Sequence, residues 1–301
     1  MSSTIFELYK VLESKVFSIL KDSNKLQNIV NNYVGKVYEV ASITKKAHVI
    51  AVDSSFLEIH YTTYLRSIIS IAGLCSYKKP LIMIKISPLI GNELADEAKA
   101  LEYKIANKLL SEINDEENLV IILIDGLLSS GSYRCLRELK RLLSNAKSRN
   151  CVVLAHTKYC TEYRYINNTL SIDENLIIYL IMKKYREVTS SERPLFMMPK
   201  ITYVKGIEEK VGITYVQYRV NSLPILIEYL PHNSPYISES ICTISRLCNS
   251  EFFSGYPLPL YIVDKLCKIT LNDVEFIKFL VNKLTPPLTL HTNFKYFLKH
   301  F

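Results

Sequence analysis

The chain predicts a single mixed-sheet α/β domain with helical ends. Three observations carry this. The runs LVIILID (residues 119–125) and CVVLAH (151–156) are continuously apolar, the mark of central strands buried on both faces. Amphipathic stretches at 92–113 and 132–149 alternate with them, as in α/β units. Several β-branched runs crowd residues 47–86, too close together for helices between them, which reads as an antiparallel meander. With 301 residues, 49% apolar and 22% charged, the chain is long enough for a substantial core.

The elements follow in order. Residues 4–33 read as helical, with Ile5, Leu8, Val11, Leu12, Val16 and Leu20 at helical spacing and Ser/Thr before Ile5 to cap the start. AHVIAVD (47–53) is a short strand ending in Asp53, and SFLEIHY (55–61) a second one. LRSIISIAGL (65–74) and IMIKI (82–86) complete the meander. The 92–113 helix carries a stripe of Leu94, Ala98, Leu101, Ile105, Leu109 and Ile113, with Glu93, Asp96 and Glu97 on the solvated face. The acidic NDEEN (114–118) ends it before the 119–125 strand. The 132–149 helix has Tyr133, Leu136, Leu139, Leu143 and Ala146 on its apolar face. After the 151–156 strand come a helix at 173–184, strands in ITYVKG, ITYVQYRV and PILIEYL between 201 and 230, and helices from about 236. No internal repeat is present.

Composition excludes several function classes. The chain has only eight glycines; none makes a G-x-G-x-x-G, and the one followed by Lys, Gly35, has Val30 five residues before it and Val37 after the Lys, so no complete Walker A exists. Gly126-Leu-Leu-Ser-Ser-Gly131 has the spacing of a phosphate loop but continues Ser132-Tyr133, so nothing neutralises β/γ-phosphates. Its backbone N–H groups are suited at most to one nucleic-acid phosphate at a helix start. The six histidines are scattered with no H-E-x-x-H, and no G-x-S-x-G elbow occurs, so zinc-hydrolase and serine-hydrolase chemistry lack support. The seven cysteines include no C-x-x-C and sit partly in apolar runs, which predicts reduced thiols in a cytoplasmic protein. The start carries charges through its apolar positions, so no signal peptide is expected; no run of about 18 uncharged apolar residues predicts a membrane span.

Two strands end alike in an acid, Asp53 and Asp125. Carboxylates leaving a sheet edge side by side suit Mg²⁺ or Mn²⁺, which take oxygen ligands; taken alone, strand-end Asp is also a common turn cap. Glu102 stands beside the apolar stripe of the 92–113 helix. The 132–149 helix is the most basic segment, with Arg134, Arg137, Lys140, Arg141, Lys147 and Arg149 against Glu138. The net charge of +8 favours an anionic partner, and this helix, next to Asp125, makes nucleic acid the expected one rather than a membrane surface. The tail 276–301 is basic, with Lys278, Lys283, Lys295 and Lys299, and its aromatics Phe294, Tyr296, Phe297 and Phe301 are suited to stacking on bases or, the preferred reading, to docking on the core or a partner.

AVDSSF near residue 50, LEYKIANKLL at 101–110, ILIDGLLS at 122–129 and GYPLPLYIVDKLCKI at 255–269, in this order, resemble the NurA nuclease family over about residues 45–270. The resemblance implies an RNase H-like mixed sheet flanked by helices, with helical extensions at 1–35 and 271–301 around a nuclease domain at 36–270. It implies Mn²⁺- or Mg²⁺-dependent DNA cleavage, of the 5′–3′ exonuclease and single-strand endonuclease type. It implies a homodimer partnered by the hexameric HerA ATPase, resecting double-strand breaks for recombination in archaea and some bacteria. Residue by residue, it implies that Asp53, Glu102 and Asp125 hold metal, that Tyr256 of the G-Y-P-x-P-L segment belongs to the site, and that Lys158 meets the scissile phosphate. Two departures stand out. Leu127 replaces the Ser usual after D-G, and Asp264 stands where the family usually has a metal-associated His. Asp is a hard oxygen ligand, so a four-carboxylate centre is chemically sensible. The departure also admits a non-cleaving paralogue that binds DNA or the ATPase. An unrelated RNase H-like enzyme acting on RNA is the other alternative.

Overall fold

A computed structural model describes residues 24–40, 46–60, 65–76, 79–87, 91–113, 118–128, 132–157, 165–166, 173–203, 209–248, 255–270, 272, 273 and 275. The elements are α1 (Asn24–Val34), β1 (Val37–Glu39), β2 (Ala47–His60), β3 (Leu65–Cys75), β4 (Leu81–Ser87), α2 (Gly91–Ser111), β5 (Leu119–Asp125), α3 (Tyr133–Lys147) and β6 (Cys151–Thr157). They continue with α4 (Glu174–Thr189), β7 (Leu195–Met197), β8 (Lys200–Tyr203), β9 (Lys210–Gln217), β10 (Ile225–Leu230), α5 (Ile237–Arg246) and α6 (Leu258–Cys267). The expected helices at residues 4–23 and in the tail 276–301 lie outside the described residues.

One mixed sheet of ten strands runs β1-β7-β9-β10-β6-β5-β2-β3-β4, with β8 paired to β9. Within it, β2, β3 and β4 form the expected antiparallel meander, while β5 and β6 lie parallel to β2 on its other side. A strand order of β4-β3-β2-β5-β6 with those directions is the RNase H-like arrangement. Helices cover both faces. α2 and α3 pack over Ile50, Val52, Ile122, Ile124 and Val153 on one side. α5 and α6 pack over Ala51, Ile121, Leu123 and Leu154 on the other. Each buried Val, Leu or Ile side chain among these contributes about 1.5–3 kcal/mol relative to exposure. α2 sits so close to β3 that a Cβ on Gly73 would lie 2.6 Å from Ile105 Cγ2, so glycine there sets the depth of the helix.

Three expectations are corrected. The strands expected at 47–53 and 55–61 are one strand, β2, in unbroken register with β3 from Ile50↔Cys75 to His60↔Leu65. The polar Asp53-Ser54-Ser55 looks like a break in sequence, but it contains no Gly or Pro and the ladder passes through it. Glu97 is buried, not solvated, because Lys85 of β4 and Arg134 of α3 both pair with its carboxylate. Tyr133, expected on the apolar face of α3, is 81% exposed; Cys135 and Leu142 complete that face instead. The three-residue β1 and β7 were not foreseen, being too short to carry a periodic signal.

Candidate active site

The site lies where β5 stops. The β2–β5 pairing ends at Val52↔Ile124, so Asp53 and Asp125 are the next residues of two neighbouring parallel strands. Both continue the alternation of Ala51 and Leu123, so both side chains project to the α5/α6 face. Gly126 then turns the chain away with φ +79°, a left-handed conformation that glycine adopts without strain. Its backbone N–H donates to the His156 carbonyl at 2.8 Å, which ties the turn to β6. Leu128 N donates to Glu228 Oε2 at 2.5 Å, so a buried carboxylate on β10 holds the loop after Asp125.

Past that point, among the described residues, no strand pairs with this edge of β2, and Glu102 of α2 comes against it. The Ser54 hydroxyl donates to Glu102 Oε1, and Ser54 N donates to Asp53 Oδ1 at 2.7 Å. Lys99, one helical turn before Glu102, places Nζ 2.8 Å from Glu102 Oε2 and donates to the Asp125 carbonyl. Tyr256 enters from the other face and donates its hydroxyl to Asp125 Oδ1 at 2.8 Å. Its loop is pinned by the Cys248–Pro257 bridge and by Leu258 N donating to Leu247 O at 3.0 Å.

The electrostatics follow from burying like charges together. Burial, then the charges of Glu102 and Asp125, push the Asp53 carboxyl from 3.8 up to about 7. Burial also raises Glu102; Lys99 opposes that rise, and Asp125 adds to it. Burial raises the Tyr256 hydroxyl, with Asp125, Asp53 and Asp264 acting in the same direction. The Cys267 thiol is likewise raised by burial and by Asp53, Asp264 and Glu102. Asp264 of α6 therefore sits within electrostatic reach of the same cluster. His156, beside Asp125 in register, is pushed down to about 4 by burial; it is neutral, with Nε2 2.7 Å from the Tyr218 hydroxyl. It is a core histidine.

The structure thus gathers Asp53, Glu102, Asp125, Tyr256 and Asp264. Lys158 lies outside the described residues. Among the described residues, no three acidic, His or Cys side chains converge closely enough to enclose an ion. The donor set nevertheless suits a hard divalent cation: all the acids offer oxygen, and their crowding calls for positive charge. On α3, Arg134 lies 2.5 Å from Glu97 Oε2, and Arg137 and Arg141 both hold Glu138 at 3.1 Å, so only part of the expected basic face is unengaged. Lys140 is exposed, and it lines a shallow hollow of about 340 Å³ with Tyr133, Leu136, Arg137, Arg141 and Ser144. Lys99 and Cys267 were not foreseen. Each stands three residues from an expected ligand, Glu102 or Asp264, and that spacing alone places it on the same helix face.

No family model matches the chain, and no curated protein is similar to it in sequence. Solved structures are similar. The crystal structure of the NurA nuclease from Sulfolobus solfataricus superposes with a TM-score of 0.60 at 15% identity, covering 93% of this chain and 96% of that one. NurA crystallised with manganese gives 0.60 at 11% identity, over 94% and 99% of the two chains. NurA bound to dAMP and manganese gives 0.53 at 12% identity, over 95% and 98%. From end to end of the described sheet and helices, the chain has the NurA-like fold.

Proposed function

We propose that this chain is a metal-dependent deoxyribonuclease. The observation that carries the reading is the placement of Asp53 and Asp125 in register on neighbouring strands, with Glu102 brought against them from α2. A cluster of buried, mutually repelling carboxylates destabilises a fold unless a cation or a function compensates it. Manganese accompanies two of the similar NurA structures, one of them also holding dAMP.

In this reading Asp53, Glu102, Asp125 and Asp264 hold one or two Mn²⁺ or Mg²⁺ ions. When bound, such ions activate water and neutralise charge developing on a phosphodiester. The protein's own groups do the rest. Ser54 fixes the rotamer of Glu102, and Tyr256 fixes that of Asp125. The Gly126 turn and Glu228 hold the loop that follows Asp125. Lys140 and the exposed Tyr133 offer a cation and a stacking face to a strand passing along α3. Lys158 serves as a further phosphate contact, and action with a hexameric HerA-type ATPase as a homodimer in end resection completes the proposal.

A panel of fluorescent single-stranded DNA, duplex DNA, RNA and hybrid tests it, with and without Mn²⁺. Metal-dependent cleavage of DNA alone is expected. Cleavage confined to RNA reassigns the substrate. DNA binding without cleavage, alone or with an ATPase partner, points to a non-cleaving subunit.

A further inference from the structure

We infer that Lys99 is a built-in counter-cation of the carboxylate cluster and sets how tightly a divalent ion binds there; this rests on the metal-dependent reading above. Its ammonium touches two of the three elements that carry the central acids: it lies 2.8 Å from Glu102 Oε2 on α2 and donates to the Asp125 carbonyl at the end of β5. The side chain is only 15% exposed, so the pair is poorly screened by solvent. An ordinary surface pair one helical turn apart contributes a few tenths of a kcal/mol. This one is held at a third point, the Asp125 carbonyl, and acts on two crowded carboxylates, Glu102 and Asp53. Lys99 also lowers the proton affinity of both Asp53 and Glu102, opposing their mutual repulsion.

The consequence is competition. Glu102 Oε1 already accepts from Ser54, which leaves Oε2 for a divalent ion, and the ammonium lies against that oxygen. An ion binding there must displace Lys99 from that oxygen, at the cost of the pair. Lysine is well suited to being displaced, because its four-carbon stem can withdraw without moving α2 and a point charge needs no planar match. Lys99 is thus a positioning residue that keeps the acids together until an ion replaces it.

The test measures Mn²⁺ binding to the full chain by electron paramagnetic resonance of the free ion, with melting temperatures taken in parallel. The variants are Lys99→Met, Lys99→Arg, and Lys99→Gln as a neutral variant that retains a donor for the Asp125 carbonyl. Removing the charge is expected to tighten Mn²⁺ binding roughly tenfold. It should also lower the metal-free melting temperature and enlarge the rise on adding Mn²⁺; Lys99→Arg, which keeps the charge but holds a carboxylate through a planar fork, should keep the metal-free melting temperature and bind Mn²⁺ no more tightly than wild type. Unchanged or weaker Mn²⁺ binding in folded Lys99→Met or Lys99→Gln overturns the inference and leaves the nuclease reading standing. No Mn²⁺ binding by wild type or any variant overturns both.

Discussion

Two buried glutamates on one helix, Glu97 and Glu102, make opposite use of burial. Both lie in α2, 3% and 4% exposed. Glu97 is met from two other elements by cations, Lys85 of β4 and Arg134 of α3. It fastens the helix to its neighbours, and the charges balance. Glu102 is turned toward two more acids, and its one close cation among the described residues, Lys99, comes from its own helix. Nothing in the local sequence separates the two residues. The difference lies in what the sheet topology brings opposite each: a strand edge with lysine in one case, the end of β5 with Asp53 and Asp125 in the other. Burial with cations fastens a fold, whereas burial with like charges costs stability and marks a place where something must bind.

The contrast can be broken from either side. The largest effect is expected at Glu102: Glu102→Gln should reduce DNA cleavage by roughly a hundredfold or more, the scale of losing one electrostatic stabiliser. Its melting temperature should hold or rise. A cleavage loss that tracks unfolding, measured by circular dichroism at the assay temperature, would make Glu102 merely structural.

Asp53 sharpens the same point through pH. A carboxyl that keeps its proton up to about 7 in the fold, but only to 3.8 as an ordinary aspartate, favours the folded state at low pH. The metal-free protein should therefore lose stability as pH rises from about 4 to about 7, by at most about 4 kcal/mol from this group, and stay lower above that. Asp53→Asn should flatten the curve and melt higher than wild type at pH 8. Chemical denaturation across that range checks it, and a wild-type curve that rises with pH refutes it.

Glu97→Ala should act the other way, costing about 2 kcal/mol of stability while the folded fraction still cuts. The loss is moderate because Lys85 and Arg134 can turn to solvent. Tyr256→Phe removes one hydrogen bond to Asp125 and should cost about 1 kcal/mol, seen as a several-fold lower kcat with little change in KM. The smallest effect is at Lys140: Lys140→Ala should weaken DNA binding evenly across sequences and lower the slope of log affinity against log salt by about one.

Much of the fold was legible because periodicity reports burial. The β5 and β6 runs, the α2 stripe and the meander all follow from which faces meet the core. The acids Asp53 and Asp125 were legible because a charge ending an apolar run is conspicuous. What escaped detection depended on partners distant in sequence. Glu97 looks solvated until β4 and α3 supply its cations. Tyr133 looks apolar until the start of α3 points it outward. β2 looks like two strands because its polar middle is tolerated only where β5 ends. Lys99 shares a helix face with Glu102, but its contact with the Asp125 carbonyl depends on the packing of α2 against the end of β5.

The most direct measurement is cleavage of a fluorescent single-stranded DNA by the purified chain, with Mn²⁺ and with chelator, for wild type beside Asp125→Asn. Wild type is expected to cut with Mn²⁺ only, and a folded Asp125→Asn is expected not to cut. Equal cutting by the two proteins, or cutting that survives the chelator, would contradict a metal centre built on Asp125.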